Sequence, residues 1–204
     1  RQTDRQTDRQ TDRQTDRQAD RQTAVSNLLW RNLASVADIC RGIRVVKKDL
    51  QEIGKFPVYQ NSLTPLGYHV KYNCEANTSF VIAAGAAGDI GYSKEHFWAA
   101  DDCYYCKCSE ELNSRFLYYV LQVVQTTILT KVRRASVPRL SRRVLENLEI
   151  PVPPLEEQER IVAILDRFDA LCNDLTSGLP AEIEARKKQY EYYRDKLLTF
   201  KEAV

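Results

Sequence analysis

The sequence predicts an α+β protein, in which a mixed β-rich domain precedes a long helical region made of two coiled-coil-like segments. Runs of β-branched and aromatic residues alternate with turn residues over positions 29–110. Prolines at positions 151, 153 and 154 favour the end of a domain there. Apolar residues beyond position 155 recur in alternating steps of four and three, which is typical of a coiled-coil seam. We expect a linker over 1–23, a domain over 24–154 and a helical region over 155–204.

Residues 29–110 are expected to be mostly β, with strands for example at 68–72, 80–84, 96–99 and 103–108. Gly85, Gly88 and Gly91 recur at every third position between two of these runs. Their spacing is not that of a dinucleotide-binding loop, so they predict tight turns with positive φ.

A helix is predicted after these strands. Asn113 or Ser114 can cap it, and apolar residues follow at helical spacing: Phe116, Leu117, Val120, Leu121, Val124 and Ile128.

The segment 131–143 contains six cations and no acidic residue, and Pro138 prevents it from forming one continuous helix. It lies in the basic part of the chain, since residues 24–155 hold 16 basic and 12 acidic side chains, whereas residues 156–204 hold 8 and 11. The functional interpretation is a loop that contacts phosphates, and the structural alternative is a solvated run of charges. The candidate contacts in this segment are Lys131, Arg133, Arg134, Ser136, Arg139, Arg142 and Arg143.

Further polar and aromatic residues in the β region extend this candidate interface, because such groups can bind bases or phosphates. Ordinary turn chemistry is the alternative explanation. The candidates are Tyr59, Gln60, Asn61, Lys71, Tyr92 and Lys94, with His69 and Tyr72 nearby.

Cys103, Cys106 and Cys108 resemble part of a metal-ligand cluster. A structural zinc site needs a fourth ligand, and neither Cys74 nor His96 lies at a recognisable spacing from the three. The same residues also form a strand pattern with Cys106 and Cys108 on one face. We therefore predict a strand and no metal site.

Two seams are predicted in the helical region, out of phase with each other near Gly178-Leu179-Pro180, where a break or kink is expected. Each seam needs a partner surface. That surface is the other seam, an equivalent region of a second chain, or the chain's own domain. The predicted interface residues are Ile161, Leu165, Phe168, Cys172, Leu175, Ile183, Tyr190, Tyr193 and Leu197.

The first 23 residues repeat Arg-Gln-Thr-Asp, with one substitution at Ala19, and predict a disordered linker. The DNA unit GACA, read in triplets, encodes the same four residues. Gain or loss of one unit shifts the reading frame, so we hypothesise a slippage switch that causes phase variation. The chain contains no Met, and we expect it to be a fragment or the downstream part of a longer reading frame.

Several classes of protein are disfavoured. No apolar run is long enough to span a bilayer and no signal peptide is evident, so a cytoplasmic protein with free thiols is expected. There is no Asp/Asn-Pro-Pro-aromatic motif for adenine methylation, no nucleotide-binding loop and no His beside an obvious nucleophile. The sequence therefore favours a non-catalytic protein that requires no cofactor.

Several motifs resemble those of the specificity subunits of Type I restriction–modification systems. They are Leu29-Trp-Arg-Asn-Leu leading to Cys40-Arg-Gly42, Phe56-Pro-Val-Tyr-Gln-Asn61, Ala84-Gly-Ala-Ala-Gly-Asp-Ile-Gly-Tyr92, Leu148-Glu-Ile-Pro-Val-Pro-Pro-Leu-Glu-Glu-Gln158, Gly178-Leu-Pro-Ala-Glu-Ile183 and Gln189-Tyr-Glu-Tyr-Tyr-Arg194 with Leu197-Leu198.

This resemblance implies a target-recognition domain that reads half of a split site in double-stranded DNA, followed by a helical spacer. It implies methyltransferase and restriction subunits as partners, which carry the catalysis and use S-adenosylmethionine, Mg and ATP. Family members usually have two domains and two spacers. With one of each, this chain is either the second half of a longer subunit or a half-subunit that forms a homodimer. Two other functions stay open, a coiled-coil protein-interaction module and the recognition fragment of a fused adenine methyltransferase.

Overall fold

The β-rich domain begins and ends in the same two-stranded sheet. The computed structural model describes residues 29–173 and 182–189 of the chain. Strand β1 (Leu29–Asn32) pairs antiparallel with β9 (Glu149–Val152), and Leu29 lies opposite Val152. The first and last strands of the domain are therefore side by side.

The other seven strands form two sheets. A four-stranded antiparallel sheet has the order β2 (Ala37–Arg41), β8 (Cys103–Cys108), β5 (Thr78–Ile82) and β6 (Ile90–Ser93). A three-stranded mixed sheet has the order β4 (Gly67–His69), β3 (Phe56–Tyr59) and β7 (Trp98–Ala99), with β3 and β7 parallel. The predicted α+β class is confirmed.

Residues from both of these sheets meet in one hydrophobic cluster. Phe80 and Ile82 come from β5, Cys103 from β8 and Ala99 from β7, and all four are buried. The rings of Phe80 and Phe97 lie 5.2 Å apart between centroids, a distance at which aromatic pairs attract each other beyond simple burial.

The predicted helix is confirmed as α1 (Ser114–Thr130). The Asn113 side-chain oxygen caps it by accepting hydrogen bonds from the backbone N–H groups of Arg115 and Phe116, at 2.8 and 3.1 Å. The helix packs against β5 and β6 through an apolar face, of which Phe116, Leu117, Leu121 and Ile128 are buried. A second, short helix, α2 (Arg142–Glu146), precedes β9.

Strand β8 has the predicted bounds, whereas the other three predicted strands differ at their ends. The strand predicted at 68–72 ends at His69, because Val70, Lys71 and Tyr72 turn outward and are exposed. The strand predicted at 80–84 starts earlier, at Thr78, directly after Asn77 with its positive φ of 58°. Beyond the first limit the Lys71 N–H donates to the His69 ring nitrogen at 2.8 Å, and at the second the Tyr92 hydroxyl donates to the Asn77 side-chain oxygen at 3.2 Å.

The helical region begins with α3 (Leu155–Asn173), directly after Pro153 and Pro154, and residues 182–189 are also helical. The described residues fall into two compact units that divide between Glu159 and Arg160. Among them, no helix combines the length and hydrophobicity that crossing a bilayer requires.

The first turn of α3 is anchored to the domain by Gln158, which is completely buried. Its side-chain oxygen accepts a hydrogen bond from the Asn113 N–H at 2.8 Å. Its amide nitrogen donates to the carbonyls of Glu111, at 2.8 Å, and Pro153, at 2.7 Å. One side chain thereby satisfies three backbone groups from the segments that flank β9 and α1.

Replacing Gln158 with Leu should lower the free energy of unfolding by about 3 kcal/mol, because three backbone groups lose their partner in a buried place. Urea denaturation of the full chain measures this change. Glu159→Gln, at the exposed neighbouring position, is the control and should change stability by less than about 0.5 kcal/mol. Equal effects of the two substitutions would contradict the anchoring role.

Candidate nucleic-acid interface

The basic segment predicted from sequence forms a closed loop at the end of α1. The helix ends at Thr130, with Lys131 as its C-cap, and the backbones of Arg133 and Arg139 then exchange hydrogen bonds of 2.9 and 3.0 Å. Residues 134–138 form the tip between these two positions. We call residues 131–141 the basic loop.

Backbone hydrogen bonds attach the basic loop to the four-stranded sheet just beyond β5. The Leu140 N–H donates to the Ala83 carbonyl at 2.8 Å, and the Gly85 N–H donates to the Pro138 carbonyl at 3.2 Å. The Tyr104 hydroxyl from β8 donates to the Leu140 carbonyl at 3.4 Å. The loop position is therefore set largely by its backbone.

A glycine turn brings a further candidate residue to the loop. Gly85 and Gly88 have φ values of 85° and 96°, which confirms the predicted turns. A Cβ atom on Gly85 would lie 2.8 Å from the Asn61 carbonyl oxygen, so this close approach requires glycine. Asn61 accepts a hydrogen bond from the Ala86 N–H at 2.9 Å and thus lies beside the loop. Gly91 instead lies in β6 against the Phe80 ring, without a positive φ.

Most cations of the basic segment are exposed and unpaired. Within the described residues, no side-chain hydrogen bond or ion pair is made by Lys131, Arg133, Arg134, Arg139 or Arg143. Arg142 differs, because its Nε donates to Glu146 at 2.7 Å one helical turn away. Ser136 lies exposed at the loop tip. Cations held close together without ion-pair partners favour the binding of an anion.

Residues of the basic loop and the last residue of β2 line one cleft of about 280 Å³. From the basic loop, Lys131, Arg133 and Arg139 line it. Arg41, Asp101 and Asp102 also line it, and Tyr104 and the segment 83–84 complete it. Arg41 was absent from the predicted site, although it lies in the quoted Cys40-Arg-Gly42 motif. Only the fold brings it to the basic loop.

The other candidates from the β region lie elsewhere. The Tyr59 ring is half-buried against Phe80, with 4.7 Å between centroids, and burial raises the pKa of its hydroxyl. The Gln60 carbonyl accepts a hydrogen bond from the Cys103 thiol at 3.2 Å. Lys71 is exposed after β4, and its backbone contacts the His69 ring.

Tyr92 and Lys94 lie at the end of the β5–β6 hairpin opposite to the glycine turn, since Tyr92 pairs with Ser79 near the start of β5. Their contact with DNA stays a prediction, as does that of Tyr59, Gln60 and Lys71.

An arginine that sequence reasoning missed lies among three tyrosines near the start of α1. The Arg115 guanidinium carbon is 4.7 Å from the Tyr92 ring centroid, 4.9 Å from that of Tyr118 and 4.8 Å from that of Tyr119. The spacing of three and four residues between Arg115 and the two helical tyrosines was a usable signal.

The cysteine pattern corresponds to a strand, as predicted. Successive side chains of a strand point to opposite faces, so Cys103 faces away from Cys106 and Cys108. No group of three or more His, Cys, Asp and Glu residues that could hold a metal occurs in the parts of the chain that the structure describes. Burial raises the pKa of the Cys74 thiol to about 12 and that of Cys108 to about 11, so both are protonated at neutral pH.

Comparison with known proteins identifies the family of this chain. The family model for the Type I restriction modification DNA specificity domain matches residues 29–185. The chain belongs to this family. The domain and at least the first part of its helical region therefore correspond to a Type I specificity domain.

Individual relatives carry the same description. A putative type I specificity subunit of Mycoplasma pneumoniae is 36% identical over 178 residues, covering 83% of this chain and 74% of the relative. The specificity subunit of the type I restriction enzyme MpnII, from the same organism, is 36% identical over 174 residues, covering 81% of this chain and 52% of the relative.

The fold is also similar to a solved specificity subunit. The crystal structure of the Type I restriction–modification S subunit from M. genitalium superposes with a TM-score of 0.66 and 25% identity, covering 86% of this chain and 47% of the other. This specificity-domain chain thus spans about half the length of that protein and of the MpnII subunit.

The buried thiols predict how stability depends on pH. Above about pH 9 the thiols of the unfolded chain ionise, while the folded Cys74 thiol stays protonated until about pH 12. The unfolded state then binds fewer protons than the folded state, so stability should be full below about pH 9 and fall as the pH rises further. Urea denaturation in reducing buffer across this range measures the fall.

Because Lys and Tyr also titrate at this pH, the comparison with Cys74→Ala isolates the thiol. The variant should lose stability less steeply with rising pH. Parallel curves for the two proteins would mean that Cys74 does not contribute.

Proposed function

We propose that this chain recognises a specific sequence of double-stranded DNA for a Type I restriction–modification complex. Residues 24–154 are the target-recognition domain, and its basic loop contacts the DNA backbone. The observation that carries the proposal is the group of exposed, unpaired cations Lys131, Arg133, Arg134 and Arg139 on a loop fixed to the sheet by its backbone. Membership of the specificity family supports it.

Phosphate binding explains why so many cations are tolerated in one loop. Like charges at short range repel each other, and within the described residues Lys131, Arg133, Arg134 and Arg139 form no ion pair that would offset this repulsion. Contact with DNA phosphates would replace the repulsion with attraction and release counterions from the duplex.

The helical region 155–204 acts in this proposal as a spacer and dimerisation region. Phe168 and Ile183 are 58% and 65% exposed, so these two positions of the proposed seam are accessible to a partner surface. Ile161 and Leu165 are partly exposed. The Cys172 side chain and Leu175, Tyr190, Tyr193 and Leu197 lie outside the described residues.

The partner in this proposal is a second copy of the chain, so that two recognition domains read two halves of one symmetric site. Methyltransferase and restriction subunits would bind the assembled pair and supply the catalysis.

Replacing Arg133 and Arg134 with Ala should weaken binding to all DNA sequences about equally. If both contact phosphates, the slope of log K against log salt should decrease in magnitude by about 2. Fluorescence anisotropy with duplex DNA over a series of salt concentrations measures it. Arg142→Ala is the matched control, since its guanidinium is paired with Glu146, and it should change the slope less. An unchanged slope in the double variant would contradict phosphate contact.

Replacing Phe168 with Lys should dissociate the pair, because it places a charge in the proposed apolar seam. Sedimentation velocity should show a dimer for the original chain and a monomer for the variant. Ala163→Lys, at an exposed position off the seam, should leave the dimer intact. An original chain that sediments as a monomer would exclude pairing with a second copy.

A further inference from the structure

The end of strand β2 is pressed against the turn that precedes β8. A Cβ atom on Gly42 would lie 2.1 Å from the Ala100 carbonyl oxygen and 2.4 Å from that of Ala99, so the two backbones are in close contact. The Gly42 N–H donates to the Cys103 carbonyl at 2.9 Å, and the Ala83 N–H donates to that of Asp102 at 2.6 Å. This corner of the cleft is therefore built from backbone fixed on both sides.

Arg41 projects from this fixed corner in a defined orientation. Its Nε donates to the Asp101 carbonyl at 2.8 Å, which uses one of the five N–H donors of the guanidinium. The two terminal nitrogens have no protein partner in the part of the chain that the structure describes, and the side chain is exposed. They form a fork of parallel donors that is available for a ligand.

Two carboxylates lie in the same cleft as the Arg41 guanidinium. Asp101 and Asp102 line the same cleft and are partly exposed. Over the described ranges, neither carboxylate takes part in a hydrogen bond or an ion pair. A carboxylate repels a phosphate and accepts hydrogen bonds from amino groups. The surroundings of Arg41 therefore differ in chemistry from the basic loop, whose charged residues are all cations.

We propose that Arg41, with the Asp101–Asp102 carboxylates, reads a G·C base pair in the major groove. The paired terminal donors of an arginine match the O6 and N7 acceptors of guanine, and a carboxylate accepts from the N4 amino group of cytosine. The loop cations would meanwhile contact the adjacent phosphates. This inference rests on the proposed function, and it adds which residues of the cleft read bases.

The proposal differs from a purely structural role for Arg41. If the side chain only tied the turn at Asp101 to β2, its replacement would alter stability and leave the preferred DNA sequence unchanged. Lysine is the informative substitution, because it retains the charge and phosphate binding but lacks the planar fork.

The test selects sequences from a random double-stranded DNA library with the full chain, with Arg41→Lys and with Arg134→Ala. The original chain should enrich a motif that contains a G·C pair. Arg41→Lys should lose the preference for guanine at one position by about 10- to 100-fold, with the other positions unchanged. Arg134→Ala is the control, since Arg134 lies at the loop tip and does not line the cleft: it should bind all sequences more weakly but keep every sequence preference.

A second measurement changes the DNA. Duplexes of the enriched motif carry 7-deazaguanine, which lacks the N7 acceptor, at one guanine at a time. Binding by the original chain should weaken by at least about fivefold at one guanine, and Arg41→Lys should show no further weakening there.

The outcomes separate the two proposals. An unchanged motif with Arg41→Lys, or full binding with 7-deazaguanine at every guanine, would overturn the assignment of Arg41 and leave the proposed function standing. A library in which the original chain enriches no motif would overturn the proposed function itself.

Discussion

The position of the cationic groups depends on hydrogen bonds made by the backbone of the basic loop. The pairing of Arg133 with Arg139 and the contacts of Pro138 and Leu140 with segment 83–85 involve no charged side chain. Replacement of the cationic side chains should therefore leave the basic loop attached to the sheet. The loop can carry mutually repelling cations because its conformation does not rely on them, and the glycine turn beside it supplies the close approach that such packing needs.

Local features of the fold were readable in the sequence. The cap at Asn113, the apolar face of α1, the Cys103–Cys108 strand and the positive φ of Gly85 and Gly88 each follow from chemistry within a few residues. The pairing of β1 with β9 and the buried role of Gln158 do not, because they join segments far apart in the chain. Glutamine at an early helical position is ordinarily solvated, and only the finished fold shows that it satisfies three backbone groups.

The candidate site was predictable only where local sequence determines it. A dense run of cations identified the basic loop, but composition could not distinguish Arg142, which has Glu146 within one helical turn, from Arg139, which has no such partner. Composition also suggested that Tyr59 contacts DNA at the surface, yet its ring packs against Phe80 of the core. No neighbouring residue in the sequence indicates a binding role for Arg41. Its orientation is set by a hydrogen bond to the carbonyl of Asp101, which lies 60 residues away and reaches the end of β2 only in the folded chain.

The antiparallel contact between β1 and β9 also bears on how such a protein can change over time. Leu29 and Val152 are neighbours in one ladder, so the polypeptide enters and leaves the recognition fold at almost the same point. A segment with adjacent ends can be exchanged as a cassette, because the flanking chain meets the same junction whatever lies between. Genetic recombination that swaps this cassette would replace the whole β-rich domain in one step, and the helices that follow would not need to adapt.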